Sequence, residues 1–131
     1  MKYLLDTNAV IALLKNSSPA LASNVRACSP GDIGLSSIVM HELYFGAFKS
    51  QRAQSNVEIL DRLNFEVLPF GVEDAREAGR VRAELARLGT PIGPYDALIA
   101  GQAAERQLIL ITRNGKEFSR VKDLRWEDWE S

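Results

Sequence analysis

Short apolar segments alternating with helical ones predict an α/β protein. It would be built on a mainly parallel central sheet of about four to five strands with helices on both faces. Three observations carry this. "LILIT", residues 108–112, is an unbroken apolar run and fits a strand buried on both faces. Residues 2–6 read as a second buried strand that stops at Asp6. Between such runs lie segments with helical periodicity, punctuated by Pro and Gly.

After the first strand, "TNAVIALLK" has helical spacing, with Val10, Leu13 and Leu14 on one face. "SSPALASNVRAC" reads as a second helix, with Ser18 as N-cap and Pro19 at its first position. "GDIGLSS" is a strand entering a turn. "SIVMHELYFGAFK" is a helix with "AQSNVEILDRL" as its antiparallel partner, and "FEVLPF" is the third strand. "VEDAREAGRVRAELARL" forms a long amphipathic helix closed by Gly89, and "PYDALIAGQAAERQ" starts a helix at Pro94. "LILIT" is the fourth strand. A short helical turn and a last strand near "LRW" complete the chain.

At 131 residues, the length suits one domain spanning 1–131, with one core and no internal repeat or linker. With 46% hydrophobic and 25% charged residues it fits a soluble globular chain, and no apolar run approaches the ~18 residues of a membrane span. The first residues do not read as a secretory signal, and Cys28 is alone. We therefore expect a cytoplasmic protein without disulfides or a cysteine metal cluster. His41 is the only histidine, which excludes two-histidine mechanisms. No GxxxxGK[ST] or GxGxxG phosphate loop occurs. Carboxylates are the remaining machinery for an enzyme. The net charge of −1 does not advertise a nucleic-acid binder but leaves room for local basic patches.

Parallel α/β sheets build sites outside the carboxyl ends of their strands. Asp6 sits at such an end, with no Lys or Arg in the eight residues after it, and Asn114 follows the end of "LILIT". Glu42 lies beside an apolar stripe of Leu35, Ile38, Val39 and Leu43, with Gly46 one turn on leaving space next to it. Asp96 lies near the start of a helix rich in small apolar residues. Each acid has an ordinary structural explanation. Asp6 could cap the helix from Thr7, Asp96 could complement a helix N-terminus, and Glu42 could be solvated. Together they adjoin core-forming segments with no neutralising base. Carboxylates within ~4 Å repel by several kcal/mol in a partly buried site, which a hard divalent cation would offset. Mg²⁺ needs only one or two carboxylates and keeps several waters. His41 reads as structural or surface, and Cys28 as a small buried apolar residue.

Four stretches, "LLDTNAVIALL", "SSIVMHELYFGA", "IGPYDALIAGQA" and "LITRNGKEFSRVKDLRWEDW", resemble in order and spacing the PIN-domain ribonucleases. Within them, they resemble the VapC toxins of type II VapBC toxin–antitoxin pairs. The resemblance covers essentially the whole chain. It implies a PIN-like three-layer sandwich and an endoribonuclease dependent on Mg²⁺, with Mn²⁺ as a substitute. It also implies a homodimer, neutralised by a VapB-type antitoxin and meeting operator DNA only through that complex. Asp6, Glu42 and Asp96 match the family's acids, with Asp6 and Asp96 as metal ligands and Glu42 completing the site or orienting water. The fourth acidic position is matched by Asn114, which puts a second metal site in doubt. Asn114 is then either a neutral or water-mediated member of the site, or a helix cap forming a box with Glu117. Thr112 would be a supporting hydroxyl.

The substrate implied is structured RNA such as a tRNA anticodon loop, first of all that of initiator tRNA. Candidate phosphate contacts are a stripe of Arg76, Arg80 and Arg87, each preceded three positions earlier by Glu73, Glu77 or Glu84, or the less regular Lys49, Arg52, Arg113, Lys116, Arg120 and Lys122. The paired Glu residues favour a solvated face for the stripe. The alternatives are a non-catalytic RNA-binding module or a metal-dependent DNA nuclease. Assays of RNA against single-stranded and flapped DNA, with and without EDTA, separate them.

Overall fold

The computed structural model describes all residues from Met1 to Ser131. Its elements run β1 (Tyr3–Leu5), α1 (Thr7–Leu14), α2 (Pro19–Ala27), β2 (Ile33–Ser36), α3 (Ser37–Lys49), α4 (Ala53–Asp61) and β3 (Glu66–Leu68). They continue with α5 (Val72–Arg87), α6 (Pro94–Glu105), β4 (Ile109–Ile111), α7 (Gly115–Phe118) and β5 (Trp126–Glu127), and a 3₁₀ turn (Pro30–Asp32) precedes β2. The sheet has five strands in the order β3-β2-β1-β4-β5, and every pairing is parallel. Leu5 of β1 lies level with Leu35 on one side and Ile111 on the other. All four residues of β2 are buried, as are Leu4, Leu5, Leu110 and Ile111, so helices cover both faces of the central strands. The outer strands β3 and β5 are short and largely exposed. No helix is long and apolar enough to cross a membrane.

Most punctuation acts as the sequence predicts. Ser18 Oγ accepts from Leu21 N at 3.1 Å with Pro19 at the first helical position. Gly89 ends α5 at φ +71°, a conformation that side chains resist. Three expectations fail, the first at Cys28, which is only partly buried against the core. Leu14 is exposed, because the buried side of α1 is formed by Ala9, Val10 and Ala12. Leu35 belongs to β2 rather than to the α3 stripe, because Ser36 caps α3 through a hydrogen bond to Ile38 N.

Helices α5 and α6 approach until only glycine fits between them. A Cβ at Gly101 would lie 2.4 Å from Ala78 Cα and 2.6 Å from Ala78 Cβ. Gly101→Ala must therefore push the helices apart. It should destabilise by about 1–3 kcal/mol despite alanine's higher helix propensity, read as a lower denaturant midpoint. A midpoint at or above wild type would contradict this packing. The same pair is tied at its end by buried Asp74. That carboxylate accepts from Gly71 N at 2.8 Å and from Arg106 at 2.9 and 3.1 Å, which holds its pKa below the usual range. Nothing in the local pattern announces a contact between residues 32 apart.

Candidate active site

In a parallel sheet the chain direction reverses its lateral progress at one point, and ligands bind outside the carboxyl edge there. Here the sequence-order neighbours β2 and β3 lie on one side of β1, and β4 and β5 on the other. The crevice therefore falls between the ends of β1 and β4, where Asp6 and Thr112 emerge. Asp6 N donates to Ile111 O at 3.1 Å, which fixes the two ends together.

Asp6 is 5% exposed and does cap α1: Oδ1 accepts from Ala9 N at 2.8 Å. Capping does not exhaust its role. Burial pushes its pKa up from 3.8 to about 6, against the stabilising Thr112 hydroxyl and Ala9 N–H, and the charges of Asp96 and Glu130 push it further. Thr112 is buried and its Oγ1 also accepts from Asn114 N at 2.9 Å, so the hydroxyl supports both residues. Glu42, half-buried on α3, is reached from α1 by the Thr7 hydroxyl, which donates to Oε1 at 2.8 Å. Asp96 stands in the first turn of α6; burial raises its pKa, and the charges of Glu42 and Glu117 add to the rise. Gly93 at the cap of α6 leaves room for it, since a Cβ there would lie 3.3 Å from Asp96 Oδ2. The structure thus brings Asp6, Glu42 and Asp96 from one strand end and two helices close enough for Asp96 to feel Glu42 and for Asp6 to feel Asp96.

Asn114 borders the same cavity as Asp6. It stands at the N-cap of α7, but its side chain caps nothing. Its backbone, at φ −91° and ψ 47°, lacks the extended ψ with which Asp6 and Ser18 fold their side chains over a helix start. Instead Nδ2 donates to Glu117 Oε2 at 2.9 Å. The box between these residues is therefore a side-chain pair, not a cap. It brings in Glu117, whose charge acts on Asp96 and which sequence reasoning treats only as a capping partner. Glu130 is the second acid missed; it returns beside Asp6 because β5 pairs with β4. His41 is exposed and packs its ring against Tyr95, with centroids 5.5 Å apart. Arg80 is engaged by Glu77 and Glu84, as expected for a solvated stripe.

No Lys, Arg or His forms an ion pair with Asp6, Glu42, Asp96 or Glu117. Nor do any three acids already close around one point as a ligand set. Hard oxygen donors, carboxyls raised by burial and neighbouring charge at Asp6 and Asp96, and the lack of a basic partner together fit a hydrated divalent cation held by one or two carboxylates.

The sequence model of the PIN domain matches residues 3–124. A tRNA(fMet)-specific endonuclease VapC from Shigella flexneri is 41% identical over 98% of each chain. A ribonuclease VapC2 from Haemophilus influenzae is 36% identical, again over 98% of both. Among solved structures, the DNA-bound VapBC of Salmonella typhimurium contains a chain that superposes with a TM-score of 0.93 at 39% identity over 98% of each.

Proposed function

This chain belongs to the PIN-domain family and, within it, to the VapC ribonucleases, and we propose that it is a metal-dependent endoribonuclease toxin that cleaves tRNA(fMet) and so arrests translation and growth. The observation that supports the reading is the chain of charge interactions from Asp6 to Asp96 and from Asp96 to Glu42, none of them paired with a base. The Shigella relative named for tRNA(fMet) supports the substrate.

Asp6 and Asp96 are the residues that would hold Mg²⁺ or Mn²⁺. Bound there, the ion would polarise a phosphodiester oxygen and lower the pKa of a coordinated water. Glu42, whose Oε1 accepts from Thr7, would complete the site or orient the attacking water through its other oxygen. Thr112 keeps Asp6 fixed at the end of the sheet. A phosphate reaches acids in such a crevice only from a loop or single strand, which fits an anticodon loop better than a duplex.

The partner is a VapB-type antitoxin. The Salmonella VapBC chain with TM-score 0.93 supports this, and operator DNA would be met only through the complex. A groove of about 510 Å³ beside Glu42, bordered by Ile11, Leu14, Leu43, Ile59 and Leu60, suits an amphipathic segment with a basic residue reaching the acids. Exposed Phe45 and Phe48 on α3 add apolar surface for assembly, including the expected homodimer.

The test is incubation of purified protein with tRNA(fMet), an elongator tRNA and single-stranded DNA, with Mg²⁺ or with EDTA, followed by mapping of the RNA ends. Cleavage of tRNA(fMet) alone, abolished by EDTA, is expected. Intact tRNA(fMet) in Mg²⁺ would overturn the substrate, and cleavage in EDTA the metal.

Asn114 is proposed as a neutral member of the site. Asn114→Asp replaces the hydrogen bond to Glu117 with carboxylate repulsion, so without divalent ions it should lower stability by about 1 kcal/mol. The same charge should tighten Mg²⁺ binding. A Mg²⁺ titration read by melting temperature and cleavage rate checks both. Curves superimposable on wild type would remove Asn114 from the site.

A further inference from the structure

A ribonuclease whose centre carries Asp6, Glu42, Asp96, Glu117 and Glu130 repels the polyanion it must cut, so some cations must border the cavity itself. Of the 16 Lys and Arg residues, only Lys15 and Arg113 do. The cavity, about 490 Å³, opens beside Asp6 and is bordered by Asn8, Lys15, Arg113, Asn114 and Glu130. Lys15 closes α1 and also borders the groove that holds Glu42, so it stands between the two halves of the site. Arg113 directly follows Thr112 at the end of β4 and also borders an adjoining cavity of about 340 Å³, with Ser17, Ser18, Ser131 and the acids Asp128 and Glu130. Lys15 is exposed and in no ion pair, whereas Arg113 is 71% exposed with one loose contact, to Glu130 at 3.9 Å. Glu130 itself is largely buried, but the contact is long and the Arg113 guanidinium stays open to solvent, which leaves it available to a phosphate.

We propose that Lys15 and Arg113 form a phosphate clamp across the cavity beside Asp6. They would bind the RNA backbone on either side of the scissile linkage and lead the strand past Ser17 and Ser18. This rests on the ribonuclease reading above. In the long-helix stripe, Arg80 is already held by Glu77 and Glu84 and is less available to RNA.

The test measures cleavage of an RNA stem-loop and, separately, its binding to the Asp6→Asn protein by fluorescence anisotropy. Both are run from 50 to 200 mM salt for the Lys15→Ala, Arg113→Ala and Arg113→Lys changes. KM and Kd should rise about 5- to 10-fold for each alanine, with kcat within about twofold and partial rescue by Lys at 113. The slope of log Kd against log salt should fall by about 0.7 for each cation removed. A merely structural role would not change that slope. Wild-type cleavage with unaltered KM, Kd and salt slope in both alanine variants would overturn the clamp and leave the ribonuclease standing. No cleavage by the wild-type protein, with Kd still raised and the salt slope still lowered by each alanine change, would overturn the ribonuclease and leave only the phosphate contact.

Discussion

Asp6→Asn is expected to abolish RNA cleavage, by at least about 100-fold, while making the protein more stable at neutral pH in the absence of divalent ions. Asparagine caps a helix as well as aspartate, so the bond from Ala9 N survives and α1 stays in place. What disappears is a charge that burial and the neighbouring acids oppose. The sign follows from the raised pKa. In the unfolded chain Asp6 ionises near 3.8, and in the fold only near 6. Its contribution to stability is therefore fully retained below pH 3.8 and lost as pH rises through 6. That gap is worth roughly 3 kcal/mol. In EDTA at pH 7, the variant should melt several degrees above wild type, and the two should converge below pH 4. Circular dichroism melts at pH 3.5, 5 and 7 check this. A variant that melts below wild type at pH 7, or that cleaves at the wild-type rate, would remove Asp6 from the proposed centre.

How far the sequence discloses this centre depends on how local each signal is. Asp6 is visible because a carboxylate ending an apolar strand has no base in the eight residues after it, and the alternation of strands and helices already fixes which edge it faces. The start of α2 and the end of α5 are equally local, written in Ser18-Pro19 and in Gly89. Glu117 is different. Its place beside Asp96 depends on the α7 turn, which closes tightly enough that a Cβ at Gly115 would meet the Trp126 ring at 2.1 Å. Contacts between residues eleven apart, across a two-residue edge strand, leave no periodic trace. Glu130 is carried to Asp6 by the same strand. The exposure of Leu14 was hidden for another reason: helical spacing marks an apolar face but not how much of it the rest of the chain covers. Of the four positions suggested by the resemblance, the three acids are linked by charge interactions through Asp96, and the fourth is shared between Asn114 and Glu117.

Mg²⁺ should stabilise the wild-type protein, and its effect should depend on pH in the opposite sense to the metal-free fold. An ion that binds only the native state adds RT ln(1 + [L]/Kd), about 2.7 kcal/mol at 100 times the dissociation constant, a rise of several degrees in melting temperature. Binding needs the ionised carboxylates. Asp6 holds its proton up to about pH 6, and Asp96 is shifted in the same direction. Protons therefore compete with the metal, and each unit below pH 6 should weaken apparent affinity about tenfold for the Asp6 proton alone. Without metal, ionisation of Asp6 destabilises the fold as pH rises from 4 to 6. With saturating Mg²⁺ the same ionisation creates the ligand, so the loss should shrink or reverse. Melting curves at pH 5, 6 and 7, with EDTA and with a series of Mg²⁺ concentrations, separate the two effects. In Asp6→Asn both the metal-induced rise and its pH dependence should disappear. If wild type and Asp6→Asn shift equally, the ion binds elsewhere, and the carboxylates at the β1–β4 crevice must act without it.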